Sequence, residues 1–149
     1  MHFVLRLLDT LLDVLIVLFV LAAAGLGAYA LWDNQNIYQN ADAAVYAAYR
    51  PAEEEASGED GLAELRAVNP DVVAWLQVDD TQINYPVVQG EDNNRYVNTD
   101  AAGDYSLSGS IFLDYRNKAD FSSRNSILYG HHMAKGTMFG QLDEYRDRS

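Results

Sequence analysis

The 149-residue sequence contains no cysteine. Disulfides, thiolate metal sites and a cysteine nucleophile are therefore excluded within these residues. Positive charge is scarce as well: ten Lys and Arg stand against 22 Asp and Glu, a formal net charge of −12. No run of bases forms a patch, which argues against nucleic acid, since phosphate binding needs clustered Lys and Arg. Internal repeats and low-complexity tracts are missing too. The length allows one domain of ordinary size, less whatever a membrane segment takes.

What is present begins with one long apolar run. Residues 14–32 (VLIVLFVLAAAGLGAYALW) continue for 19 positions without a charge. As a helix this run spans roughly 28 Å, close to the hydrocarbon thickness of a bilayer. Arg6 and the amino terminus precede it, diluted by Asp9 and Asp13, while Asp33 and further acids follow. The charge asymmetry predicts a short cytoplasmic stretch over 1–13, a transmembrane anchor over 14–32 and an extracellular remainder. Ala28-Tyr29-Ala30 also has the A-x-A form of a signal-peptide cleavage site. A buried soluble helix would need a large core that a short chain hardly offers. The reading adopted is an uncleaved, single-pass anchor in the cell membrane.

Residues 33–50, rich in alanine with tyrosines at 38, 46 and 49, predict a helical stalk. Residues 51–61 (PAEEEASGEDG) read as a solvated linker. Its Glu53-Glu54-Glu55 run is a charged connector in preference to a cation site. Stalk and linker together occupy 33–66, with eight acids against two bases. Residues 62–68 form a short amphipathic helix ended by Asn69-Pro70. Strands follow at 74–78 (AWLQV) and 81–88 (TQINYPVV), joined by a turn at Asp79-Asp80. Ile83, Tyr85 and Val87 share the inward face of the second. Pro86, unable to donate to a ladder, predicts an edge or an irregularity.

Further on, 92–98 reads as a short helix, 99–108 as a loop, 110–115 and 126–129 as strands. A helix over 137–146 is expected to set Met138, Leu142 and Tyr145 on its apolar side. The pattern is mainly β, in the style of a barrel or sandwich. Four short strands leave edges unpaired and one face uncovered, and no strand follows the last helix. More chain is therefore expected beyond Ser149.

The residues best suited to chemistry lie in Ile127-Leu128-Tyr129-Gly130-His131-His132. Strand alternation puts His131 on the face of Ile127 and Tyr129, and His132 on the opposite one. If Ile127 points inward, His131 stands at the rim of the core, where it can exchange a proton near neutral pH. Taken alone, such a histidine is more often a satisfied surface residue. Adjacent histidines point apart and no third ligand has a recognisable spacing, so no metal is expected. Ala134-Lys135-Gly136-Thr137 lacks the order of a phosphate loop. Asp114 and a serine could join His131 in a hydrolase triad, but no G-x-S-x-G elbow accompanies them.

Four blocks change that balance: NPDVVAWLQV (69–78), INYPVVQGEDNNRYVNTD (83–100), GSIFLDYRN (109–117) and NSILYGHHMAKGTMFGQL (125–142). In order and content they resemble the first half of the catalytic domain of class B sortases. These are membrane-anchored bacterial cysteine transpeptidases that attach proteins to the cell wall or to one another. The resemblance implies an incomplete sortase-like β-barrel over 67–149, preceded by the anchor and stalk. It matches His131 to the family's catalytic histidine and Asn93 and Val97 to positions lining the sorting-peptide groove. It gives His132 no role. The implied partners are sorting-signal peptides of exported proteins, a peptidoglycan or protein amine as acceptor, and the membrane; no cofactor is implied. The family's nucleophilic Cys and oxyanion-stabilising Arg lie beyond this point, so the 149 residues alone are expected to be inactive. Two alternatives stay open: a non-catalytic, membrane-tethered peptide-binding module, and a split enzyme completed by a second polypeptide.

Overall fold

The computed structural model describes residues 2–51 and 62–146. Apart from Pro51, the linker expected at 51–61 lies outside the described residues, Glu53-Glu54-Glu55 included, as do 147–149. The chain divides into two compact units, Met1–Asn36 and Ile37–Ser149. The described residues of the first, 2–36, are all helix. Helix α1, His2–Asn40, has no proline and is dominated by Leu, Val and Ala, so nothing interrupts its hydrogen-bond ladder. Residues 5–32 are exposed on every side. Its segment Leu5–Asn40 is long and apolar enough to cross a membrane.

In the second unit, the stretch expected as a free helical stalk takes another form. α1 stops at Asn40, and Asp42 caps a 3-10 helix, Ala43–Tyr49, by accepting the Ala44 N–H at 2.9 Å. Ala41 and Tyr46 are buried in the core. Two tyrosine hydroxyls pin this arm. Tyr85 donates to the Ala41 carbonyl at 2.8 Å and accepts the Met138 N–H at 3.0 Å. Tyr46 accepts the Ala101 N–H at 3.1 Å. The bonds that fold the alanines inward thus come from residues far along the chain.

Helix α2, Ala63–Val68, buries Leu65 and ends at Asn69, before Pro70. Strands β1 (Val72–Gln77) and β2 (Asn84–Val88) form an antiparallel hairpin with Asp80 at φ 61° in its turn. β2 pairs in parallel with β3 (Ile111–Leu113), and β3 pairs antiparallel with β4 (Leu128–Tyr129). The order is β1-β2-β3-β4. β1 and β4 are not paired to each other, so among the described residues the strands make one four-stranded sheet and not a closed barrel. Ile83, Tyr85 and Val87 are buried as expected, but so are Pro86 and Val88, because both faces of β2 are covered. Pro86 sits in a central strand and not at an edge. It is tolerated because the ladder to β3 begins only at Val87, beside the register shift between Val72 and Ala74.

The expected helix over 92–98 contracts to a 3-10 turn, Arg95–Val97. That over 137–146 becomes a 3-10 segment, Gly140–Tyr145, where Leu142 and Tyr145 are exposed and only Met138, just before it, is buried. Met138 takes φ 53°, and no α-helix starts from that conformation.

Burial pushes the hydroxyls of Tyr46 and Tyr96 up to about 12 from the ordinary 10.0. A folded value above the unfolded one favours the folded state fully below the unfolded value, and that contribution is lost as pH rises through the folded one. The urea midpoint of the chain in detergent micelles should therefore fall as the pH rises from 10.0 to about 12, and Tyr46→Phe should reduce the fall. A midpoint unchanged across that window would contradict the burial of both rings.

Candidate active site

Two walls meet at a cavity of about 420 Å³ lined by Asn93, Val97, Phe112, Tyr129, Gly130 and His131. The first wall is the β3–β4 pair. Phe112 and Tyr129 are direct partners, their rings 5.3 Å apart and tilted by 34°, a favourable aromatic contact. Tyr129 and Ile127 are partly exposed, whereas Leu128 packs against the core. The face shared by residues 127, 129 and 131 therefore looks away from the core, reversing the inward orientation considered for Ile127. His131 keeps its place on the face of Tyr129, and that face is the cavity's.

Gly130 lets the strand deliver His131 there. A Cβ at this position would overlap the side chain of Ile111 and lie 3.0 Å from Phe139. His132 is turned away: it is exposed and pairs with Asp143 at 2.7 Å. That pair holds the Asp143 carboxyl below its usual range, but between exposed groups it contributes little.

The second wall is the 92–97 turn. Asp92 accepts the N–H groups of Asn94 and Arg95 at 2.8 and 3.0 Å, which bends the chain into the 3-10 turn and lowers its own carboxyl. Asn93 and Val97 thereby face the same opening. The Val97 carbonyl lies 2.9 Å from His131 Nε2. A carbonyl can only accept, so Nε2 carries the proton and Nδ1 is the acceptor of the neutral ring.

Asp114, at the end of β3, joins the walls. Its side chain is 2% exposed and accepts the Arg116 N–H, Nε and Nη2 at 2.9, 2.9 and 2.8 Å. It also accepts Asn93 Nδ2 and the Tyr129 hydroxyl, both at 3.0 Å. The Arg116 guanidinium, first among these donors, holds the carboxyl far below the ordinary carboxylate range. In the sequence, Asp114 suggests only a triad that no nucleophile elbow supports. The available signal was an Asp and an Arg two positions apart at the end of a buried strand. Phe112 and Tyr129 were likewise not singled out for the site. Among the described residues, no group of three His, Cys, Asp or Glu could hold a metal ion.

The fold is that of a sortase. Residues 76–149 match the Sortase domain family, and the chain belongs to it. Within the family the likeness is to sortase B. Sortase B of Listeria monocytogenes is 40% identical over 126 residues, covering 83% of this chain and 50% of the relative. The crystal structure of sortase B from B. anthracis aligns with a TM-score of 0.57 and 45% identity, over 59% of this chain and 42% of that one. The Staphylococcus aureus sortase B–substrate complex aligns with a TM-score of 0.55 and 41% identity, over 58% and 40%. The chain thus spans half the length of the Listeria relative. Sortases are cysteine transpeptidases, and these 149 residues contain no cysteine.

Proposed function

We propose that this chain supplies the histidine side of a class B sortase-type transpeptidase that cleaves a sorting motif and joins its acyl group to a cell-wall or protein amine. The observation that carries this reading is the meeting of His131 with Asn93 and Val97 around one cavity, with the ring held by the Val97 carbonyl. Residues 67–149 form the first half of the catalytic domain, and strands outside these 149 residues complete its barrel. Residues 14–32 anchor it, with 1–13 inside the cell and the domain outside, where exported substrates emerge. The expected stalk and linker, 33–66, connect the two.

In this mechanism a cysteine thiol, from outside these 149 residues, gives its proton to Nδ1 of neutral His131, and the resulting thiolate attacks the carbonyl carbon of the threonine in the sorting motif. The scissile C–N bond breaks, the leaving amine takes a proton from His131, and an acyl thioester remains. An incoming amine then attacks the thioester, returns a proton to His131 and releases the thiolate. Because Nε2–H is engaged by Val97, Nδ1 is the nitrogen that exchanges this proton. An arginine, also from outside, stabilises the oxyanion.

The 149-residue chain in detergent micelles should bind a labelled Thr-containing sorting peptide saturably and transfer none of it to an amine. Adding a polypeptide that carries the Cys and Arg strands should restore transfer, and His131→Ala should reduce that transfer by roughly 10²–10⁴-fold. Acyl transfer by the 149 residues alone would refute the mechanism. Binding that no added polypeptide converts to transfer would favour the non-catalytic peptide-binding module.

A further inference from the structure

Asp114 accepts more hydrogen bonds than its ion pair requires. Arg116 alone would balance its charge, yet Oδ2 also takes protons from Asn93 and Tyr129, one on each wall of the cavity. These two bonds fix what the cavity can offer. Tyr129 has a single hydroxyl proton and gives it to Asp114, so its oxygen can only accept from a ligand. Asn93 accepts the Tyr115 N–H at its Oδ1 (3.0 Å) and spends one Nδ2 proton on Asp114, which leaves its other Nδ2 proton as the free donor. Tyr129 Oη and Asn93 Nδ2 each lie 3.0 Å from the same Oδ2 atom, near enough to serve one small planar group together. An acceptor beside a donor is the complement of an amide, which presents N–H and C=O.

We propose that Asp114 is a positioning residue that sets Tyr129 as acceptor and Asn93 as donor, so that the cavity grips one amide group of the sorting peptide. This rests on the transpeptidase reading for the identity of the ligand, and on hydrogen-bond geometry for the rest. An alkyl side chain alone would leave both wall groups without a partner, which disfavours it. Phe112, beneath Tyr129, supplies the apolar floor against which the flat face of the amide lies.

The test uses the full 149-residue chain in detergent micelles and fluorescein-labelled, Thr-containing pentapeptides, read by anisotropy. Each backbone amide is N-methylated in turn, and in a second series Asn and Gln side chains become dimethylamides. One modification should weaken binding at least tenfold, and the series in which it occurs tells whether the amide is backbone or side chain. Tyr129→Phe should weaken the parent peptide by about tenfold and bind the modified and unmodified peptides alike. Asp114→Asn should erase the same discrimination, since its amide can donate to Tyr129 and release the hydroxyl proton. If Asp114→Asn does not fold by circular dichroism, Tyr129→Phe decides, because it removes only a partly exposed hydroxyl. A role confined to stability would lower affinity for all peptides equally and keep the discrimination, which would overturn the proposal. Saturable binding insensitive to every modification would overturn it too and leave the transpeptidase reading standing. No saturable binding by the native chain would remove both.

Discussion

Replacing Gly109 with alanine is expected to abolish peptide binding at the cavity and to destabilise the 37–149 unit by about 3 kcal/mol. Gly109 has φ 58°, and a Cβ there would sit 2.6 Å from the Tyr96 carbonyl oxygen and overlap that of Val97. Both are backbone atoms, so no rotamer change relieves the overlap. The Val97 carbonyl is also the acceptor for His131 Nε2. Any shift that admits the methyl group therefore moves the partner that fixes the imidazole. Gly103 is the control: its φ is 97°, yet nothing lies within 4 Å of an added Cβ. Gly103→Ala should show only backbone strain, on the order of 1–2 kcal/mol, with peptide binding retained. Urea melts and anisotropy on the two variants check both statements. Equal effects at the two positions would mean that the contact with Val97 does not matter.

Leu113→Ala is expected to be comparably damaging to stability, by about 2–5 kcal/mol. Leu113 is fully buried in β3, which lies between β2 and β4. Small domains have only ~5–15 kcal/mol of net stability, so this one change removes a large fraction of it. Phe112, its neighbour, lies on the cavity side against Tyr129. Phe112→Ala should therefore remove the cavity floor and weaken ligand binding, whereas Leu113→Ala should leave affinity unchanged in whatever fraction remains folded. Urea midpoints and affinities measured together separate the two faces. A loss below ~1 kcal/mol at Leu113 would contradict its burial.

Much of the fold could be read directly because its signals are local. The uncharged run at 14–32 lies within α1, the amphipathic 62–68 segment matches α2, and Asp79-Asp80 turns the hairpin. The alternation of Ile83, Tyr85 and Val87 gave the buried face of β2. At the site, the strand–Gly–His pattern drew attention to His131, and family resemblance drew it to Asn93 and Val97. These three line one cavity.

Other features had no local signature. An alanine run is compatible with a solvated helix or a packed arm, and the hydroxyl that holds Ala41 belongs to Tyr85, 44 residues away. The direction of Ile127 depended on which side of β4 the core occupies. Short segments such as 92–98 and 137–146 have helical composition, but side-chain hydrogen bonds and left-handed residues hold them as 3-10 turns. Asp114 looked like any strand-end carboxylate until Asn93, 21 positions before it, and Tyr129, 15 after it, were brought to one oxygen.

The sequence by itself determined a membrane-length apolar helix, an acidic remainder with four short strands, and a histidine placed after glycine at the end of a strand. Each follows from residue spacing over a few positions, where period and steric preference act within one element. The tertiary structure alone decided that 41–49 packs as an arm, that the face of His131 is turned from the core, and that Asp114 ties two walls together. Those outcomes depend on hydrogen bonds and burial between segments distant in the chain, and no local pattern encodes which distant group will arrive.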